Sequence, residues 1–131
     1  MLVLIDTSSL VYGFANRKDA IGIVAREFPS CKIELSRGIL RELNGIAENR
    51  GKRGAAAKAA LLAINFKRIV INKDNTDVDS WLLSRAVSLD GDCVVITNDS
   101  ELKARLKAKV YPKTTRRSSL GGSSTKRRRR A

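Results

Sequence analysis

Four short apolar runs, separated by helix-forming segments, constrain the fold of this chain more than any other feature. The runs are LVLI at 2–5, CKIEL at 31–35, RIVI at 68–71 and CVVIT at 93–97, and the first and the last are continuous rather than alternating in polarity. Continuous apolar runs are typical of strands buried on both faces, and strands that alternate with helices form parallel sheets. We therefore predict an α/β fold, a three-layer sandwich around a central parallel sheet of about four to five strands.

Helix signals fill the segments between these runs. Ser36 can cap the third helix, and Pro29 ends the second. The predicted helices cover 9–15, 19–28, 37–49, 55–66, 76–89 and 100–108. Residues 1–110 then form one domain, since a hydrophobic content of 43% supports one core. Residues 111–131 are rich in Gly, Ser and basic residues, and we expect a disordered basic tail there.

The charge distribution favours a polyanionic partner. The chain holds 26 Lys and Arg residues against 13 Asp and Glu residues, a formal charge of +13. Eight of the basic residues and none of the acidic ones lie in 111–131, so residues 1–110 keep a net charge of +5. Such charge favours nucleic acid through phosphate contacts, ahead of the alternative that it serves solubility.

Several absences narrow the chemistry. The chain has no histidine, which excludes Ser-His and Cys-His nucleophile systems. Cys31 and Cys93 stand far apart without a CxxC pair, so we expect small core residues in a reducing, cytoplasmic setting rather than zinc ligands or a disulfide. No apolar run approaches the roughly 20 residues of a membrane span, and we expect no membrane partner.

Two of the apolar runs lead into an aspartate. Asp6 follows the first run, and Asp99 follows the last one after Asn98. In open parallel sheets, binding sites form beyond the carboxyl ends of the strands. Asp6 could instead cap the next helix, although Thr7 or Ser8 could do so, and the pattern favours a site. Asp99 remains open between a site and the first turn of a helix that Asn98 caps.

Two further acids lie on predicted helices. Glu42 is just outside the edge of the apolar stripe of its helix, where a site and an ordinary boundary position are equally compatible with the pattern. Asp79 falls within the apolar arc of its helix, whereas Asp77 faces the polar side. A charge on an apolar face is costly unless it is paired or bound to a metal. Asp79 could also complete a capping box with Thr76, which is compatible with a site role.

These four acids could converge on one pocket. Carboxylates close together repel one another, and a hard divalent cation relieves that repulsion. A cluster that offers only oxygen ligands suits Mg²⁺ or Mn²⁺ rather than zinc. Such ions lower the pKa of water and hold a phosphate. We therefore expect metal-dependent hydrolysis of phosphodiester bonds.

In its ordered set of motifs the chain resembles PIN-domain nucleases. The motifs are LIDTSSL with Asp6, LRELNGI with Glu42, DSWLLSRA with Asp79 and ITNDSELKARL with Asp99, and the resemblance covers about residues 1–109. It implies a parallel-sheet sandwich, four acids that bind Mg²⁺ or Mn²⁺, and endoribonuclease activity. The segment TNDSELKARL is more similar to the branch that processes ribosomal RNA in archaea and eukaryotes than to VapC toxins.

The sequence departs from the family pattern at two places. Ser8 stands where the family often has Asn, although a hydroxyl can still bond to an acid. The family also closes its sheet with an apolar strand after the last helix, and here that strand is expected to be missing or reduced to about 110–111.

We assign roles to the remaining polar residues as a hypothesis. Residues expected to orient the acids or the metal are Thr7, Ser8, Thr97 and Asn98; residues expected to hold the RNA backbone, or else to form a solvated basic loop, are Arg37, Arg50, Lys52 and Arg53. Expected partners are RNA, with a second copy of the chain, a ribosome precursor or an antitoxin as further candidates. The alternatives are a VapC-like toxin ribonuclease and a non-catalytic PIN fold that binds RNA or a ribosome precursor. A receiver domain is a poorer fit, because the first strand lacks an acidic pair.

Overall fold

The strands of the computed structural model lie in one sheet. The structure describes residues 1–66, 69–90, 92–109, 114–117 and 123–126. Its strands are β1 (Leu2–Ile5), β2 (Lys32–Ser36), β3 (Val70–Asn72), β4 (Cys93–Thr97), β5 (Thr114–Arg117) and β6 (Ser123–Lys126). The spatial order is β3-β2-β1-β4-β6-β5, with the first four strands parallel. The predicted α/β class and the parallel sheet are confirmed.

Helices cover the parallel strands. They are α1 (Thr7–Ala15), α2 (Ala20–Glu27), α3 (Arg37–Ala47), α4 (Lys52–Phe66), α5 (Val78–Ser88) and α6 (Ser100–Lys109). Helices α1 to α4 contact one another, whereas α5 contacts α6 and both pack against β4. Right-handed crossovers between parallel strands place these two groups on opposite faces. Within the described part of the chain, every helix is too short or too polar to cross a membrane.

The central strands carry the core. Val3, Leu4 and Ile5 of β1 are fully buried, and all five residues of β4 are buried. Trp81 and Leu82 of α5 cover one face of the sheet with fully buried side chains. Burial on both faces explains why these runs are continuously apolar.

The sheet order creates a crevice beyond the carboxyl ends of the two central strands, β1 and β4. The chain proceeds from β1 outward to β2 and β3, and then returns to place β4 on the other side of β1. Open parallel sheets bind ligands at such a reversal, beyond the carboxyl ends of the two strands concerned. Asp6 follows β1 there, and its backbone N–H donates to the carbonyl of Ile96 on β4 at 2.9 Å.

Two strands lie within the segment expected to be a disordered tail. Strand β6 pairs antiparallel with β4, from Thr97 opposite Ser123 to Val94 opposite Lys126, and β5 pairs antiparallel with β6. The neighbour of β4 is therefore a polar strand much later than the expected position 110–111, which lies outside the described residues. The structure shows strands rather than disorder at 114–117 and 123–126. Disorder in the rest of the tail stays a prediction.

One buried ion pair joins the sheet to α5. Glu34 of β2 is 4% exposed, and it accepts hydrogen bonds from Nε and Nη2 of Arg85 at 2.7 and 3.1 Å. A bidentate pair of this kind holds both side chains in one geometry. It fixes the helix that carries Asp79 against the strand that leads into α3.

Candidate active site

A cleft at the carboxyl edge of the sheet collects all four predicted acids. Its volume is about 560 Å³, and its lining residues are Asp6, Thr7, Ser8, Glu42, Gly45, Ile46, Asn49, Arg53, Asp79 and Asp99. The volume falls in the range of small-molecule sites. The four carboxylates come from four different elements, and the strand order places them together.

Asp6 is the most buried of the four acids that line this cleft. It occupies the N-cap position of α1, so the helix begins at Thr7 rather than near Ser9, yet its side chain makes no capping hydrogen bond. Instead its Oδ2 accepts a hydrogen bond from Thr97 Oγ1 at 2.9 Å and a longer one from Ser8 Oγ at 3.4 Å. The backbone of Asp6 therefore occupies the cap position, while its carboxylate lines the cleft.

Burial makes the Asp6 charge costly. The residue is only 7% exposed, and this desolvation raises the pKa of its carboxyl, with Asp79 and Glu42 raising it further by repulsion. The hydrogen bond from Thr97 acts in the opposite direction. Asp6 is therefore a buried acid that a positive charge in the cleft would stabilise.

Glu42 reaches the cleft from α3. Ser36 caps this helix as predicted, because its hydroxyl accepts from the backbone N–H of Ile39 at 3.2 Å. The Glu42 side chain is held by Thr7, whose Oγ1 donates to Oε1 at 2.7 Å. Thr7 thus links the residue after Asp6 to the acid on the neighbouring helix.

Asp77 caps α5, and Asp79 lines the cleft. Asp77 caps α5 by accepting from the backbone N–H of Ser80 at 3.0 Å, and the helix begins at Val78. The alternative capping box of Thr76 with Asp79 does not form, because Thr76 bonds to Asp74 instead. Capping by Asp77 leaves the Asp79 carboxylate available to the cleft.

The neighbouring acids act on Asp79. Desolvation raises the pKa of its carboxyl, and repulsion from Asp99, Asp77 and Glu42 raises it further, while Arg105 opposes the rise. Two of these acids line the same cleft. Their repulsion shows that the carboxylates lie close enough to influence one another's charge.

The loop before α5 is held against α3. The guanidinium of Arg41 donates through Nη2 to the carbonyl of Asn75 at 3.1 Å. A Cβ placed on Gly38 would lie 2.5 Å from the backbone oxygen of Thr76, so the loop approaches α3 too closely for any side chain at position 38. This close contact brings the start of α5, with Asp79, beside the helix of Glu42.

Asp99, and not Asn98, caps α6. Its Oδ1 accepts from the backbone N–H groups of Glu101 and Leu102 at 2.9 and 3.1 Å. The expectation that Asn98 is the cap is wrong: Asp99 combines the capping role with a place in the cleft. Thr97 connects it to Asp6, because Thr97 Oγ1 accepts from the backbone N–H of Asp99 at 3.0 Å and donates to Asp6.

The other predicted residues separate into two groups. Thr7, Ser8 and Arg53 line the cleft, and Thr97 is fully buried beneath it. Exposed residues that do not line it are Asn98, Arg37, Arg50 and Lys52. Of the four basic residues considered for RNA, the structure therefore brings Arg53 alone to the cleft.

Sequence reasoning missed part of the cleft wall. Gly45, Ile46 and Asn49 follow Glu42 by three, four and seven positions, and all of them line the cleft. Gly45 and Ile46 share one face of α3 with Glu42, whereas Asn49 lies two residues beyond the end of that helix. The helical spacing is visible in the sequence when positions are counted from Glu42 rather than from the apolar stripe of the helix.

The donor chemistry of the cleft fits a hard divalent cation. Carboxylate oxygens from four acids line the cleft: Asp6, Glu42, Asp79 and Asp99. The pKa is raised for Asp6 and for Asp79. Oxygen ligands of this type suit Mg²⁺ or Mn²⁺. Among the described residues, no group of three or more acidic or thiol side chains is already arranged to hold a metal ion.

Comparison with known proteins identifies the family. Ribonuclease VapC9 of Archaeoglobus fulgidus is 32% identical over 110 residues, which is 83% of this chain and 78% of that protein. A solved structure of the PIN domain endonuclease Utp24 superposes with a TM-score of 0.66 at 19% identity, covering 87% of this chain and 81% of the other. No family model matches the chain. The fold, the ordered acidic motifs and the VapC9 similarity together show that this chain belongs to the PIN-domain nuclease family.

Proposed function

We propose that this protein is an Mg²⁺- or Mn²⁺-dependent endoribonuclease that hydrolyses phosphodiester bonds of RNA. One observation carries the proposal: carboxylates from four separate elements line a single cleft. Their mutual repulsion, together with the burial of Asp6, favours a bound cation. The relative named as a ribonuclease supports RNA as the substrate.

The residues of the chain divide the work as follows. Asp6, Glu42, Asp79 and Asp99 hold the cation, with Asp6 oriented by Thr97 and Glu42 by Thr7. Bound Mg²⁺ or Mn²⁺ supplies positive charge for the phosphate and lowers the pKa of water. The absence of histidine is compatible with this division, because no imidazole base is required.

Within this activity we favour a role in RNA processing, with ribosomal RNA as the substrate and a ribosome precursor as the partner. The motif around Asp99 supports this role through its resemblance to that branch. The 32% identity to VapC9 favours a second candidate, a toxin ribonuclease with an antitoxin partner. A neighbouring gene for a small antitoxin would support the second candidate.

The test is cleavage of defined single-stranded RNAs with Mn²⁺, comparing the wild type with Asp6→Asn and Asp99→Asn. We expect cleavage by the wild type, loss of cleavage in EDTA and loss in Asp6→Asn, because Asp6 is the most buried of the four acids. Asp77→Asn is the matched control, since Asp77 caps α5 and does not line the cleft. Unchanged cleavage by Asp6→Asn would rule out the proposed site.

A further inference from the structure

One wall of the cleft carries no acid beyond Glu42. This wall consists of Gly45 and Ile46 of α3, Asn49 just beyond the end of that helix, and Arg53 at the start of α4. It offers a glycine surface, an apolar side chain, an amide and a guanidinium side by side. The other three carboxylates that line the cleft come from Asp6, Asp79 and Asp99, outside this wall.

We propose that this wall is a nucleotide subsite, which binds the nucleotide next to the scissile phosphate of a single-stranded RNA. The inference rests on the proposed nuclease function and extends it to the group that positions the substrate. Arg53 binds the backbone phosphate, Asn49 bonds to the edge of the base or to the ribose, and Ile46 contacts the nucleoside through apolar surface.

Charge makes Arg53 the phosphate ligand. Four carboxylates repel a polyanion, and Arg53 brings a guanidinium to the same cleft. A guanidinium matches the geometry of phosphate and bonds to it with two parallel N–H groups. Arg37 and Arg50 are also exposed, but neither lines the cleft, so their charge acts on RNA only through the surrounding solvent.

The turn between α3 and α4 holds the wall in position. A Cβ on Gly54 would lie 1.8 Å from the backbone oxygen of Asn49, and Gly51 has a φ of +92°. Both positions therefore depend on glycine, one for the close approach and one for its left-handed backbone. This tight turn fixes Asn49 and Arg53 at adjacent places on the cleft.

Gly45 supplies an independent observation. Glycine within a helix is destabilising relative to alanine, yet a Cβ at position 45 would meet nothing within 4 Å. Packing within the protein therefore gives no reason for glycine there, and the space that it leaves opens onto the cleft. We infer that this space admits the nucleotide.

The size of the cleft favours single-stranded RNA. A volume of about 560 Å³ is that of a small-molecule site and is large enough for one nucleotide. Recognition of unpaired nucleotides also allows the edges of a base to be reached by an amide such as that of Asn49.

The test is binding of a fluorescein-labelled single-stranded RNA, followed by anisotropy in EDTA in an Asp6→Asn background, so that neither the metal nor Asp6 supports turnover. Arg53→Gln should weaken binding about tenfold, as expected for a charge-assisted bond, and lower the slope of log affinity against log salt by about 0.7. Arg37→Gln removes the same charge outside the cleft and should change affinity by less than about twofold.

Position 45 gives the second arm. Gly45→Ala and Gly45→Leu should weaken binding progressively, while the melting temperature stays equal to that of the parent or rises. Equal losses in Arg53→Gln and Arg37→Gln would overturn the subsite, because charge alone would explain them. Parental affinity in Gly45→Leu would overturn it as well.

The two proposals can fail separately. If Arg53 and Gly45 behave as expected but the wild type cleaves no RNA with Mg²⁺ or Mn²⁺, the subsite stands and the nuclease proposal fails. If the wild type cleaves through Asp6 and these variants bind like the parent, the nuclease proposal stands and the subsite fails.

Discussion

Replacing Asp6 by asparagine should stabilise the metal-free protein while removing its activity. The side chain is 7% exposed, and its pKa is raised by burial first and then by Asp79 and Glu42. Asparagine keeps an oxygen that can accept the hydrogen bond from Thr97, which is 2.9 Å long in the wild type. The substitution therefore removes the buried charge and leaves the main contact in place.

The magnitude follows from proton linkage. A group whose pKa is raised on folding contributes stability that is present below its unfolded pKa and is lost as the pH rises through the folded value. Each unit of such a rise corresponds to about 1.4 kcal/mol. We expect Asp6→Asn to gain about 1 kcal/mol at pH 7, or about 4 °C in melting temperature for a domain of this size.

The assay is urea and thermal unfolding in EDTA, at pH 7 and at a pH below the unfolded pKa of aspartate. The gain should be present at pH 7 and vanish at the lower pH, where Asp6 of the wild type is protonated. A variant that is less stable than the wild type at pH 7, or a difference that does not depend on pH, would refute this account of Asp6.

Asp77→Asn provides a control in which the pKa of the replaced carboxyl is lowered rather than raised. The backbone N–H of Ser80, and then its side chain, lower the pKa of the Asp77 carboxyl. Such a group contributes stability that is present above its unfolded pKa and is lost as the pH falls through the folded value. Asparagine is an equally good cap, so this variant should gain nothing at pH 7.

Three further substitutions test the contacts that assemble the cleft. Thr97→Val removes the hydroxyl that joins Asp6 to the backbone of Asp99, and it should lower the free energy of unfolding in urea by about 2–4 kcal/mol. Thr97→Ser keeps the hydroxyl and should be closer to the wild type in stability. A Val variant as stable as the Ser variant would contradict the role of the hydroxyl. Arg85→Met leaves Glu34 buried without its partner and should cost about 3–5 kcal/mol, whereas the Glu34→Met/Arg85→Met double variant should recover much of that loss in a double-mutant cycle. Gly38→Ala forces the backbone at Thr76 to shift and should cost about 1–3 kcal/mol and reduce cleavage; Gly45→Ala, where a Cβ meets nothing, should lose no stability.

The sheet was predictable because its strands are buried on both faces. LVLI and CVVIT leave no polar alternation, and the structure gives β1 and β4 at 2–5 and 93–97 as predicted. The polar strand β6 was not predictable, because Ser123–Lys126 carries no apolar residue. Its pairing with β4 supplies backbone hydrogen bonds that a hydrophobic pattern does not report.

Helix starts were the least predictable local feature. At 76–79 and at 98–101 several adjacent residues could serve as the cap, and the structure uses Asp77 and Asp99. Capping depends on which residue adopts the extended backbone, and the loop contacts decide that. The sequence therefore pointed to the four acids that line the cleft, while it misassigned the cap of α6 to Asn98.

The cleft wall was harder to foresee. Gly45 and Asn49 have no chemistry that marks them in isolation. Only helical spacing from Glu42 connects Gly45 to the site, and Asn49 lies beyond the end of α3. Arg53 differs from Arg37 and Arg50 in location rather than type. Its place depends on the close approach of Gly54 to Asn49, which requires the fold.

The most direct test of the central claim is titration of Mn²⁺ into the protein at pH 7, followed by calorimetry. We expect saturable binding by the wild type, and strong weakening by Asp6→Asn and by Asp79→Asn but not by Asp77→Asn. The wild type should also gain thermal stability with Mn²⁺, and Asp6→Asn should gain little. Absence of binding by the wild type, or equal binding by Asp6→Asn, would contradict the claim that these four carboxylates form a divalent-cation site.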